Sequence, residues 1–462
     1  MDNKPSRERL GSRLGFILLS AGCAIGVGNV WKFPTITGQN GGGIFVLIYL
    51  VFLAIMGIPV LTMEFSMGRA AQKSPVRMYH ELTPNSKKWR MHGYVCLAGN
   101  VILMMFYTAV TAWMLRYFVY MVTGKFEGLD QTGVNNVFGE MLGDTWMMIL
   151  FVAIVVVIGF GICAIGVQKG LERISKIMMI ALLGIMAVLA INSFTLDGAA
   201  EGLKFYLLPS VDNLVSNGIF NVIVAAMNQA FFTLSLGIGA MAIFGSFIGK
   251  DRALMGEALN VTVLDTSVAL ISGLIIFPAC FTYNVEVGAG PGLIFQTLPH
   301  VFNNMWGGRI WGSLFFVFMS FAALSTILAV FQNILSCTQE LLGWGKIKAC
   351  LIDGVIILAL SLPCVLGYNL WSSFQPLGAG SAVLDLEDYI VSNILLPLGS
   401  LIFIIYCTSK RGWGWDNFIA EANTGKGIKV RKGLRIYMKY ILPLIIGAIL
   451  IIGVISPFVS FI

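Results

Sequence analysis

Runs of about twenty apolar residues recur along the whole of this 462-residue chain, each long enough to cross the roughly 30 Å hydrocarbon core of a bilayer. Between them no hydrophilic stretch is long enough to fold alone. Charged residues make up 11% of the chain and hydrophobic residues 57%, whereas a soluble domain carries about 25% charged residues. Backbone polar groups must be satisfied within each segment in lipid, so repeated apolar runs of this length are spanning helices. The expected fold is an all-α polytopic membrane protein with eleven spans. They lie near 14–36, 43–68, 92–122, 146–165, 171–194, 217–247, 256–283, 310–341, 349–367, 386–408 and 437–461.

A net charge of +7 would suit a nucleic-acid binder, but its distribution argues otherwise. Basic residues gather in alternate loops, as in Arg69, Lys73, Arg77, Lys87, Lys88 and Arg90, and later Lys426, Lys429, Arg431 and Lys432. The intervening loops lean acidic, with Glu127, Asp130, Glu140 and Asp144, then Asp385, Glu387 and Asp388. This alternation follows the positive-inside rule and places the N-terminus in the cytoplasm. An odd number of spans then puts the C-terminus outside. The first apolar run lacks a small-residue cleavage site and is read as a true span. Eight cysteines stand singly, with no Cys-x-x-Cys pair or Cys/His cluster, so neither a zinc site nor a disulfide framework is indicated.

The first span is interrupted. In "GCAIGVGN", residues 22–29, glycine occurs three times and is followed by Asn29, Lys32 and Pro34. A weaker echo, "TLSLGIGA" at 233–240, lies five spans later. Five is odd, so a second copy of the unit inserts with the opposite orientation. Backbone freed by a broken helix is tolerated at membrane depth only inside protein or against a watery cavity. There its carbonyls can coordinate a small cation and helix N-termini can hold an anion. Glycines also serve close helix packing; polar residues beside both breaks (Asn29, Thr233 and Ser235) favour the site reading.

The segments "RLGFILLSAGCAIGVGNVWKFP", "GIPVLTMEFSMGR" and "NQAFFTLSLGIGA" resemble the neurotransmitter:sodium symporters, especially their bacterial amino-acid transporters. The likeness runs from about Arg7 to the tenth span. It implies a 5+5 inverted-repeat broken-helix fold with spans one and six unwound: a tail at 1–13, a first half at 14–194, a second at 217–408, a cytoplasmic loop at 409–436 and a last span at 437–462. Two co-transported sodium ions and no organic cofactor are implied. The first sodium site would use the Ala24 carbonyl, Asn29, Thr233 and Asp265, with the substrate carboxylate adjacent. The second would use carbonyls of Gly22, Ile25 and Ala322 with hydroxyls of Ser325 and Thr326. Hard oxygen donors suit sodium. Read alone, "ST" in an apolar span is more often a back-bond to its own helix.

By the same resemblance the substrate pocket would be lined by Ala24, Gly28, Leu103, Tyr107, Phe232, Ser235, Ile238, Thr326 and Val330. Tyr107 would donate to a carboxylate, Ser235 would help take an amine, and Phe232 would close from outside. Monoamine-transporting members carry an aspartate where this chain has Cys23, so a neutral branched or aromatic L-amino acid is implied. Glu64, an acid inside the second span, would brace the unwound backbone of spans one and six. Lys32 and Asp388 match an outer gate pair, and Arg7 and Glu340 an inner one. The family's usual outer residue is arginine and its usual inner acid aspartate. Chloride-dependent members place asparagine at the Asp265 position and serine at Ala269; a fixed carboxylate here implies chloride-independent uptake. In the fifth span Gly170 is present, but the proline that some bacterial members carry ten residues on is Ile180.

The expected function is sodium-coupled symport of a neutral hydrophobic amino acid by alternating access, in a cell membrane. No nucleophile–base constellation or phosphate-binding motif points to an enzyme. A proton-coupled transporter of the same architecture and an ion channel are the alternatives.

Overall fold

In the computed structural model, residues 10–283 and 292–455 are described. Among them nine helices are long and apolar enough to cross a membrane, from Gly43–Ala71 (span two) to Leu434–Ile455 (span eleven). The first span is a tenth, built of two arms, Arg13–Ala24 and Gly28–Gln39, bent by 58°. The sixth is interrupted more deeply, into Ile219–Thr233 and Ala240–Gly245. Together these give the eleven expected, with edges within a few residues of those read from hydropathy.

The glycines at both breaks do different work. Gly22 and Gly26 allow close approach: a Cβ on Gly22 would press on Met179 and Ser325, and one on Gly26 would collide with the Tyr107 and Thr326 hydroxyls. Gly237 and Gly239 instead supply left-handed backbone, with φ +100° and +69°. Ser235, between them and the first arm, also has φ +49°. A non-glycine residue held there costs of order 1 kcal/mol and persists only where its surroundings over-determine it.

Spans three and eight form the longest packed pair in the core, and span eight also packs on the first arm of span one and on spans four and five. Span five begins in a wider π-turn, Val167–Glu172, containing Gly170; Ile180, further along, is 61% exposed on the outer face. The stretch 284–308 between spans seven and eight, which its "GAGPG" and "LPHVF" segments mark as an ordered outer loop with a short helix, lies partly outside the described residues, and its later part forms the helix Leu298–Asn304. The loop after span ten carries a short helix, Trp415–Ala422.

That loop is riveted to the bundle by Arg69 at the end of span two. Arg69 is fully buried; its Nε donates to Glu421 Oε1 at 2.6 Å, and its terminal nitrogens donate to the carbonyls of Arg252, at 2.6 Å, and of Glu421. Backbone bonds Lys426 N to Asp251 O, 2.9 Å, and Ala253 N to Lys426 O, 3.0 Å, extend the join.

Candidate functional site

The two breaks meet at the centre of the bundle, where Asp265 of span seven is wholly buried. Asn29 Nδ2 donates to Asp265 Oδ1 at 2.8 Å and Thr233 Oγ1 donates to Oδ2 at 2.9 Å. No cationic side chain lies within ion-pair distance of Asp265 among the described residues. A buried carboxylate held only by neutral donors calls for a positive charge. Asn29 Oδ1 accepts from Gly26 N at 3.3 Å, so that backbone amide is already engaged.

A second cluster of oxygens lies between span one and span eight. Ser325 Oγ is 2.8 Å from Gly22 O, 2.8 Å from Ala322 O and 3.3 Å from Ile25 O. Thr326 Oγ1 is 3.2 Å from Cys23 O, 3.3 Å from Ile25 O and 3.4 Å from Gly22 O. Two hydroxyls carry two protons between them, fewer than these approaches would need as hydrogen bonds. The remaining oxygens converge without a proton, as they would around a hard cation.

Between the clusters lies a narrow cavity, about 390 Å³ when all the space between its atoms is counted. Of the residues expected to line it, Ala24, Gly28, Leu103, Tyr107, Phe232, Ser235, Ile238 and Thr326 do so. Val330, one turn beyond Thr326, is fully buried and is not among them. The wall is completed by Val391 and Leu396 of span ten, which sequence reasoning missed. They follow Asp388, expected at the outer gate, by less than three turns, the sequence signal that could have suggested them. No lining side chain is ionisable at neutral pH. Tyr107 Oη accepts from Val27 N at 2.9 Å, leaving its own proton to donate.

On one side the cavity is closed by Phe232 and a charged pair. Lys32 Nζ is 3.3 Å from Asp388 Oδ2 and lies 3.8 Å over the Phe232 ring, while Ser392 Oγ donates to Asp388 Oδ1 at 2.6 Å. Beyond them is a vestibule lined by Trp31, Phe106, Asp385 and Asp388. Both charges are about one-third exposed, so the pair alone contributes about 1 kcal/mol or less, and the ring contact adds a comparable amount. Lys32→Gln is therefore expected to speed release of bound substrate about tenfold, with Lys32→Arg restoring retention. Filter-binding dissociation rates check this, and an unchanged rate in Lys32→Gln would count against the latch.

At the opposite end, Arg7 lies outside the described residues. Its expected partner Glu340 accepts from Ser74 N at 3.0 Å and Ser74 Oγ at 2.7 Å, at the start of the helix Pro75–Leu82. Two other acids hold the N-terminal segment. Glu172 accepts from Gly11 N at 2.7 Å and Ser12 Oγ at 2.9 Å and pairs with Lys176 at 2.7 Å. Arg13 pairs with Glu257 at 2.9 Å. Both are acids at the ends of spans whose flanking loops are basic, a signal present in the sequence but not used. Glu64, wholly buried, accepts from Gly237 N at 2.6 Å and so braces the break of span six; its other oxygen has no partner among the described residues.

Two broken helices meeting around oxygen clusters and a closed, uncharged cavity define a secondary transporter. The model of the sodium:neurotransmitter symporter family matches residues 7–138 and 133–460, and the chain belongs to that family. It is 33% identical to an uncharacterized sodium-dependent transporter, YhdH, of Bacillus subtilis (86% of this chain, 87% of the relative). It is 30% identical to a sodium-dependent transporter of Haemophilus influenzae (97% and 98%). The crystal structure of MhsT in complex with L-phenylalanine superimposes with a TM-score of 0.87 at 35% identity, covering 97% of this chain and all of that one. The protein is a multi-pass, sodium-dependent transporter of a small molecule, and its family is one of transporters, not enzymes.

Proposed function

We propose that the protein imports a neutral hydrophobic L-amino acid, branched or aromatic, coupled to two sodium ions and without chloride. The observation that carries this reading is Asp265, a buried carboxylate donated to by Asn29 and Thr233 and paired with no cationic side chain among the described residues. A sodium ion beside it, also bound by the Ala24 carbonyl, would balance the charge, and the substrate carboxylate would share that ion. The Ser325 and Thr326 cluster would hold the second. Tyr107 Oη donates to the substrate carboxylate, and Ser235 with freed carbonyls takes the amine. Leu103, Ile238, Val391 and Leu396 make an apolar receptor for the side chain. A solved relative binds L-phenylalanine, which agrees with a cavity of this kind.

The N-terminus is cytoplasmic on this reading, and the protein sits in the cell membrane. The halves 14–194 and 217–408 supply one broken span each, and rocking of one bundle against the rest alternates access to the site. Lys32 with Asp388 closes the outside; Glu172 and Glu257 tie the N-terminal segment inside. The test is uptake of labelled amino acids into proteoliposomes across imposed gradients. Leucine, isoleucine, phenylalanine or tryptophan is expected to accumulate only with an inward sodium gradient, equally in chloride and gluconate. Accumulation driven as well by a proton gradient with potassium outside would reject the reading.

A further inference from the structure

On the outer wall of the bundle, spans four (Thr145–Ile165) and nine (Lys346–Leu366) part to leave an apolar groove. Its walls include Val157, Phe160, Leu351 and Val355, and its floor Gly161 and Gly354. Val157, Leu351 and Val355 are 71%, 67% and 68% exposed, so this face is turned to lipid. At Gly161 nothing lies within 4 Å of the place a Cβ would take, and at Gly354 the nearest atom is the Phe160 ring at 3.5 Å. Two glycines on facing helices thus cut a channel into an otherwise filled wall.

The lining residues recur at steps of three and four, from 153 to 164 on one helix and from 347 to 358 on the other. Eleven steps of about 1.5 Å make a stripe about 17 Å long, close to the depth of one leaflet of a roughly 30 Å core. The stripe starts at the membrane face that carries the N-terminal segment, because span nine begins there. Lys346 and Lys348 flank Ile347, the lining residue at that mouth. Lys348 lies 4.8 Å over the Trp344 ring, with no carboxylate in ion-pair distance among the described residues. An indole and two ammonium groups at headgroup level, above a hydrocarbon-lined channel one leaflet deep, match an anionic lipid.

We propose that this groove binds one anionic glycerophospholipid of that leaflet, its acyl chain over Gly161 and Gly354 and its phosphate by Lys346 and Lys348. The site is separate from the transport pathway, so the test needs no knowledge of the substrate. Delipidated full-length protein is titrated with phosphatidylglycerol or phosphatidylcholine in detergent, and bound lipid is counted by native mass spectrometry. One phosphatidylglycerol is expected to be retained, and Lys346→Gln and Lys348→Gln should each weaken it about fivefold. Gly161→Leu, which fills open space, should lower retention of both lipids while leaving the melting temperature in place. Equal retention of the two lipids by the unaltered protein would overturn the proposal. So would a preference untouched by the lysine variants, or a two-chain mass that Gly161→Leu abolishes, which would make the groove a contact between copies.

Discussion

Replacing Asp265 with asparagine is expected to lower uptake from chloride-free medium about a hundredfold, the usual scale for removing one partner of a buried charge pair. The substitution keeps the shape of the side chain and leaves an oxygen for Thr233 Oγ1, now 2.9 Å away. It removes the one negative charge among the described residues of the site and turns an amide toward Asn29 Nδ2, which presently donates at 2.8 Å. A sodium ion held there would lose its counter-charge in a region that water does not reach. Adding Ala269→Ser to Asp265→Asn creates the pair of residues found in chloride-dependent relatives, so chloride should then recover part of the lost rate. Proteoliposome uptake in gluconate and in chloride reads both effects. Wild-type rates for Asp265→Asn in gluconate would remove Asp265 from the sodium site.

Arg69→Ala should have the largest effect on stability, about 3–5 kcal/mol, because it leaves a buried partner unpaired. The guanidinium serves Glu421 and the carbonyls of Gly249, Arg252 and Glu421 at once. Lys250 approaches Glu421 at only 3.6 Å and is 61% exposed, so it replaces little of what is lost. Arg69→Lys keeps the charge but not the planar fork and should recover a minor share. The expected readout is a loss of monodisperse protein on size exclusion after mild heating, with the helix Trp415–Ala422 becoming the first segment open to protease. An unchanged thermal profile in Arg69→Ala would mean that the loop is held by its backbone bonds and by the packing of Trp415 and Phe418.

These two residues show how unevenly the sequence reveals the molecule. Asp265 stands in an apolar span where an acid is costly, so its importance was readable before any fold was known. Arg69 lies at a span end among other basic residues, where it passes as one more contributor to the charge bias of a cytoplasmic loop. Only the meeting of three distant segments, at 69, 249–252 and 421, makes it a buried rivet. Glu340, which the resemblance pairs with Arg7 at an inner gate, also accepts from Ser74 at the start of the helix Pro75–Leu82, a contact its place in the sequence does not announce.

The sequence by itself determined the membrane class, the approximate spans and the two interruptions, because hydropathy over about twenty residues and a dense set of glycines are local properties of the chain. With the family resemblance it also singled out Asn29, Thr233, Asp265, Ser325 and Thr326, polar groups that lipid would not tolerate unmatched and whose oxygens the structure gathers into two clusters. The tertiary structure alone decided which atoms meet. It brought Val391 and Leu396 to the cavity wall, left Val330 behind it and gave Glu172 and Glu257 the N-terminal segment to hold. The reason is physical: an apolar residue in a span looks the same to its neighbours in sequence whether it faces lipid, a packed helix or a ligand. Only the angle and depth at which two helices cross can tell these apart.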